Sequence, residues 1–581
     1  MNTPDALLRL RDYLRSESYE ATVVPTADPH SGEYLPSHYA CRQWLSGFTG
    51  SAGTLAVTLQ AAALWTDSRY FEQAEKELEG TGIELMRLKM PGTPTVAQWL
   101  QAQLTEDDTV VLDAELYPHT EYVALEESMP AGTVVAVDGL FDHVWKGRPA
   151  LEFHPIIALP ESITGESVRS KCERLRKRLD QGLPYVYLIT ACDEVAWLCN
   201  IRGTDIPYNP IPLSYAALTA DRLLLFADPA AIGEEVHRHL IQEQVEIHPY
   251  TDFVHYLRSI PQRCVRIFSG NRICELHFQA AVDNIPDRPM IPVVMGDPEM
   301  GGTLARMKAV KNEVELAGFR KAFEEDAKAW KKLLDWIEQE IDGGQLTEYT
   351  VAQQLIAFRK ESPDYRGESF APIIAFGPHG AMPHYHCATP EEAAPITRGG
   401  FLLMDTGAHY WYGTTDTTRT IHTGEPTLEE KADYTAVLKG MLQLSAARFL
   451  KGTRGASLDI LARGEVFKRG HAYLHGTSHG IGHYLCVHEG PQSIRMEENP
   501  VALEPGNVLS NEPAIYLTGR YGIRLENVLA VEEDLVQEEN TFYRFETLTQ
   551  VPFDRKCIDF DQLGAECTEL FNTLSANCPR N

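Results

Sequence analysis

Four stretches decide the reading of this chain: FLLMDTGAHYWYGTTDTTRT (401–420), HGTSHGIGHYLCVHEGP (475–491), SNEPAIY (510–516) and GIRLEN (522–527). They carry Asp405, Asp416, His479, Glu512 and Glu526, with His475, His483 and His488 in the second stretch. The carboxylates follow or lie within β-like apolar runs (FLLM, NVLS, YGIRL), where a solvated acidic face is not expected. Four carboxylates converging in one core repel strongly unless cations compensate them. Hard oxygen donors with one imidazole suit a pair of Mn2+, Co2+ or Zn2+ ions. If the first two aspartates lie on antiparallel strands joined through His409-Tyr410-Trp411-Tyr412-Gly413, they can sit opposite one another on one sheet face. Directly opposed residues have Cβ atoms about 5 Å apart, close enough to share a metal.

Taken in order, these residues resemble the ligand set of the pita-bread metallopeptidases, and within them the aminopeptidase P (Xaa-Pro aminopeptidase) branch in its long three-domain cytosolic form. Further similarity lies in WLSGFTGSAG (44–53), ALWTDSRYFEQA (63–74) and DEVAWLCNIRGTDIPYNPIPLSYA (193–216). Ser478 and Ala514 stand where glycine is frequent in that family, beside the ligand positions and not at them. His475, His479 and His483 are spaced by four, so spacing alone does not choose among them; the resemblance implies His479 as the ligand.

The resemblance further implies that Asp416 and Glu526 bridge two divalent ions, most simply Mn2+. Asp405 completes one site, and His479 with Glu512 the other. Glu512 doubles as general base. His384 in AMPHYHCATP, His475, His488 and Arg524 match the family's catalytic or substrate-binding positions, with His386 a near-equal alternative to His384 by sequence. The implied substrates are peptides with proline second, and the implied assembly is a cytoplasmic homodimer. Three rivals share the fold: a prolidase, a metal-free creatinase-like hydrolase, and a non-enzymatic binding module of the histone-chaperone kind. The two-block N-terminal half speaks against the first, and the intact ligand set against the others.

Length and composition agree with this organisation. A chain of 581 residues exceeds one core, so several domains are expected. The net charge of −30 argues against nucleic acid and anionic membranes as partners. No apolar run approaches the ~20 residues of a membrane-spanning helix, and MNTPDALLRLRDYL reads as an amphipathic helix using Leu7, Leu8, Leu10 and Leu14. Eleven cysteines without a Cys-x-x-Cys pair suggest buried thiols in a reducing compartment. The motifs H-E-x-x-H and the phosphate loop are absent.

The expected fold is α/β and α+β multidomain: two related creatinase-like α/β domains, 1–152 and 153–298, and a pita-bread catalytic domain, 299–581. Trp44-Leu45…Gly50 and Trp197-Leu198…Gly203 share W-L-x-x-[FI]-x-G and suggest duplication of the first two blocks. Helices are expected over Ser68–Glu79, capped by Ser68, and Pro94–Leu104, capped by Thr93. A long amphipathic helix is expected through Leu316, Phe319, Phe323, Trp330, Leu334, Ile337 and Ile341, and another after the capping box Thr427-x-x-Glu430. The family also suggests that residues 1–152 limit substrate size while the middle block is scaffold.

Overall fold

The computed structural model describes residues 3–180, 182–260, 266–270, 273–282, 294–387, 389–576 and 578. The chain forms two compact units, 1–159 with 167–303, and 160–166 with 304–581.

The first unit contains the same sheet twice. The first sheet uses Ala21–Pro25, Thr54–Thr58, Ala62–Thr66, Glu84–Arg87, Val110–Asp113 and Val134–Val137; the second uses Tyr185–Ile189, Tyr215–Thr219, Leu223–Ala227, Val245–Pro249, Arg266–Ser269 and Val294–Gly296. Counting strands from the start of each sheet, both run in the order 4-3-2-1-5-6. In both, strands 1–2 and 2–3 are antiparallel and the remaining neighbours parallel. The shared W-L-x-x-[FI]-x-G segment occupies the same place in each copy. It begins in the short helix after the first strand (Cys41–Ser46, Cys192–Leu198), and both leucines, Leu45 and Leu198, are wholly buried. Duplication is therefore visible in topology as well as in sequence.

Several local expectations shift. The first helix, Thr3–Glu17, buries Leu7, Leu10 and Leu14, but Leu8 points to solvent. Successive helical residues are about 100° apart, so Leu7 and Leu8 cannot both face the same core. The helix expected from Ser68 starts at Phe71, because Asp67 accepts from the backbone and guanidinium of Arg69 and makes a turn there. The next helix is Val96–Gln103; its cap is Thr95, in a reciprocal capping box with Gln98, and not Thr93.

The second unit is α+β. The helix Glu313–Glu340 begins at a capping box made by Asn312 and Glu315. It buries Phe319, Phe323, Trp330 and Ile337 as the periodicity predicts. Trp330, Leu333 and Ile337 pack with Leu355 of helix Glu348–Arg359 against Ile374, Leu402 and Met404 of a three-stranded sheet. Helix Leu428–Ser445, capped by Thr427 and Glu430 as expected, and helix Ala456–Lys468 cover further sheet surface. A six-stranded sheet contains Ser478–Gly480, Glu489–Ile494, Val508–Asn511 and Asn527–Gln537. The C-terminal segment, without a chemical motif, is structural: Leu563 and Phe571 join the core around Tyr434 and Met441. Among the described residues, no helix is long and apolar enough to cross a membrane.

Candidate metal centre

Asp405 is the penultimate residue of the all-buried strand Phe401–Thr406, which pairs antiparallel with Thr417–His422. The register differs from the simple expectation. Asp405 faces Thr418, and Asp416 stands two residues earlier, just before its strand begins. The pair is thus diagonal, a separation of ~7–8 Å between Cα atoms that carboxylate arms can close. The connection is not a plain turn, because Ala408–Tyr410 and Gly413–Thr414 form a second ladder beyond the first.

Glu526 lies between strands Tyr521–Arg524 and Asn527–Gln537. Its backbone N–H donates to Thr418 O at 3.1 Å, and Thr418 Oγ1 donates to its Oε2 at 2.7 Å. The other oxygen, Oε1, is buried without a hydrogen-bond partner among the described residues, as is Asp405 Oδ1. Two orphaned carboxylate oxygens in one buried cluster are costly unless something positive meets them. His479, in the strand Ser478–Gly480, has Nδ1 2.9 Å from the Gly480 carbonyl. A carbonyl only accepts, so Nδ1 carries the proton and Nε2 is turned toward the acids. That Nε2 lies 3.3 Å from Asp416 Oδ2 and 3.6 Å from Glu512 Oε1. One ligand atom each from Asp416, His479 and Glu526 falls within 4.8 Å of the others. Glu512, in the bend between Val508–Asn511 and Ala514–Leu517, is fixed by its N–H to Thr477 O at 2.9 Å and by Ser510 Oγ at 3.3 Å.

The electrostatics have the character of a cation site. Burial raises the pKa of Glu526 well above the ordinary range, and Asp416 and Asp405 add to the shift. Burial also raises Asp405, partly offset by Arg524, and raises Glu512 against the opposing charge of His479. For His479, burial acts to lower the value, but the hydrogen bond to Asp416 and the charge of Glu512 outweigh it and lift the ring to about 9. A proton and a divalent cation compete for the same donor atoms, and this donor set of four carboxylates and one imidazole fits two such cations.

The other predicted residues gather around the cluster. Arg524 is buried and donates to Asp405 Oδ2 (2.6 Å), to the Tyr516 hydroxyl (2.6 Å) and to Pro383 O (3.3 Å). Its guanidinium is therefore an ion-pair partner of Asp405 in this structure. The Pro383 contact brings the His384 segment to the site. A close backbone approach helps: a Cβ on Gly522 would meet Gly380 O at 1.6 Å, so only glycine fits. His384 is partly buried there, while His386 is exposed. His475 bonds through Nδ1 to Gly476 O at 2.8 Å and through Nε2 to the Tyr516 hydroxyl at 3.0 Å. His488 meets His479 edge-on, ring centroids 4.4 Å apart. His483 stands apart from this group, buried against Phe319 with ring centroids 5.6 Å apart. Cys387 and Cys486, expected to be buried, are partly exposed, and every described cysteine is a free thiol.

Sequence reasoning missed the residues that hold these in place. Tyr516 links His475 to Arg524. Asp459 accepts from Thr477 Oγ1 at 2.6 Å and pairs with Arg463, which also donates to His475 O at 2.7 Å. Glu489, next to His488, is clamped in the core by Lys308 at 2.6 Å and by Lys311. Only the Asp459–Arg463 pair, four residues apart on helix Ala456–Lys468, is local; the other partners lie in different elements and leave no local sequence signal.

Profiles of the Creatinase/Prolidase N-terminal domain match residues 7–144 and 147–315, and one of Metallopeptidase family M24 matches 317–533. The chain is 37% identical over 596 residues to a probable Xaa-Pro aminopeptidase P of Metarhizium acridum, with 99% of this chain and 95% of that one covered. A probable Xaa-Pro aminopeptidase P of Colletotrichum graminicola is 38% identical over 583 residues, covering 97% and 94%. Among solved structures, an X-prolyl aminopeptidase of Caenorhabditis elegans, described as a cytosolic enzyme with a di-nuclear active site, superposes with a TM-score of 0.90 at 30% identity over 100% of both chains.

Proposed function

The chain belongs to the Xaa-Pro aminopeptidase P family, with two creatinase-type N-terminal domains before a metallopeptidase domain, and from that premise we propose that it removes the first residue of peptides whose second residue is proline. Asp405, Asp416, His479, Glu512 and Glu526 would hold two divalent cations, and Mn2+ is the ion we assign over Zn2+ or Co2+. The observation that carries this reading is the convergence of Asp416, His479 and Glu526, with buried unpartnered oxygens on Asp405 and Glu526.

When bound, such a pair polarises the scissile carbonyl and makes a water acidic enough to react near neutral pH. Glu512 takes the proton of that water on its carboxylate and delivers it to the proline nitrogen, which leaves as an amine and must gain a proton when the bond breaks. A tertiary amide offers no N–H for recognition. Donors must therefore grip neighbouring carbonyls while the ring is held by shape; His384, His475 and His488 take that part. Arg524 serves through Asp405 and Tyr516. The same reading divides the chain at 1–152, 153–298 and 299–581 and makes it a cytoplasmic homodimer.

The deciding experiment is a panel of matched Xaa-Pro and Xaa-Ala peptides offered to Mn2+-loaded protein. Release of one free amino acid from the Xaa-Pro members is expected. Equal or faster release from Xaa-Ala overturns the proline assignment and leaves the peptidase standing.

A further inference from the structure

Beneath the turn that joins Asp405 to Asp416 lies a buried charge cluster that the proposed chemistry does not use. Asp326, on helix Glu313–Glu340, and Arg359, at the end of helix Glu348–Arg359, are each 1% exposed. Arg359 Nε and Nη2 donate to the two Asp326 oxygens at 2.8 and 3.2 Å, and Nη1 also pairs with Glu368. The remaining donors and acceptors go to one place. Arg359 Nη2 donates to Thr406 Oγ1 at 3.0 Å and Nη1 to Gly407 O at 3.2 Å. Thr415 Oγ1 donates to Asp326 Oδ2 at 3.1 Å, and Tyr410 OH to Asp326 Oδ1 at 3.1 Å.

Thr406 immediately follows Asp405, and Thr415 immediately precedes Asp416. The first ladder ends at Thr406↔Thr417 and the second begins at His409↔Thr414, so Asp416 lies in the gap between the two. Past that point the two segments approach so closely that a Cβ on Gly407 would meet Thr415 O at 2.1 Å. Burying an arginine and two carboxylates is costly before they pair, and well-packed apolar replacements are often no less stable. Stability alone does not account for the cluster.

Resting on the ligand reading above, we propose that Asp326 and Arg359 are positioning residues for the metal centre: one ion pair grips the residues beside both aspartates and sets the spacing at which Asp405 and Asp416 receive cations. A metal site tolerates little error in such spacing, and outer partners of ligands commonly matter about 10- to 100-fold in affinity.

The test is Mn2+ titration by calorimetry of the full-length, chelator-stripped chain, with melting temperature measured in parallel. Asp326→Asn, Arg359→Lys and the apolar double variant Asp326→Leu/Arg359→Met are compared with wild type. Expected is a loss of about 10- to 100-fold in Mn2+ affinity in each folded variant. The double variant should melt near wild type, which separates positioning from stability. Arg359→Lys keeps the charge but not the two-pronged fork, so it should recover stability more than affinity. Wild-type affinity in the double variant or in Arg359→Lys overturns the inference. A wild-type chain that takes up no Mn2+ overturns the ligand reading itself and the inference with it.

Discussion

Two regions of this molecule bury clusters of titratable side chains, and they do so in opposite ways. In the first unit, His30 donates from Nδ1 to Thr190 O at 2.9 Å and accepts at Nε2 from Tyr250 OH at 2.9 Å. Glu115 accepts the Tyr39 hydroxyl at 3.0 Å, and Asp113 caps the N–H of Glu115 at 3.0 Å. Burial lowers His30 to about 4 and raises Asp113 to about 6 and Glu115 to about 7, so each is pressed toward its neutral form. In the second unit, Asp416 and Glu512 flank His479 Nε2 while Asp405 and Glu526 repel them and each other, and two oxygens of the group have no partner among the described residues. Neutral, mutually satisfied polar groups specify packing. Acids that repel one another and share unfilled oxygens mark a place for cations.

The sharpest way to break this contrast is Asp416→Asn. The variant should lose at least one cation and several kcal/mol of transition-state stabilisation, about 10³-fold or more in kcat/KM. Stripped of metal, it should melt no lower than stripped wild type, since one repelling charge has gone. Normal turnover by chelator-treated, metal-free wild type would sink the dinuclear reading. His479→Ala paired with His483→Ala tests the choice of histidine by metal content. The first should release metal; the second should keep it and lose stability, because His483 packs on Phe319. Metal lost from the second alone would show that the ligand assignment is shifted by one turn of the motif.

Smaller, and confined to turnover, is the effect of His488→Ala or His384→Ala. A fall of about 10²- to 10⁴-fold in kcat with both cations retained is expected of groups that assist the reaction without holding metal. Loss of metal along with activity would move either histidine into the ligand set.

The smallest effect belongs to the other side of the comparison. The folded pKa of His30, about 4, lies below the ordinary value of 6.5. As pH falls through that window the unfolded chain takes the proton first, so stability present above 6.5 is lost toward 4. His30→Gln can keep both hydrogen bonds without titrating. Its stability should therefore fall less steeply than wild type over the window, by up to ~1.4 kcal/mol per pH unit. Identical pH slopes in denaturant unfolding would show that His30 is not held neutral.

Much of this molecule was legible in its residues. The periodicity from Leu316 to Ile341 and the box Thr427–Glu430 became helices because apolar spacing and cap chemistry act within a few residues. The repeated W-L-x-x-[FI]-x-G pointed to duplication, since the same local packing problem recurs after each first strand. The acids at 405, 416, 512 and 526 stood out because such groups do not end apolar strands without a reason. Helix starts at 71 and 96 were misplaced, because a competing Asp67 turn and a second threonine offered equally good local signals.

Local pattern in the residues was thus enough to mark most helical and extended segments, to suggest that two α/β blocks are copies, and to single out the acids and histidines proposed as one site. The diagonal placement of Asp405 and Asp416, the pairing of Arg524 with Asp405, and the contacts of Asp326 and Arg359 with the turn between the aspartates came from the folded chain alone. The reason is range. Propensity, capping and amphipathic spacing are interactions between near neighbours in the chain, whereas a register offset, a buried ion pair or a backbone approach such as Gly407 to Thr415 exists only after distant segments have packed together.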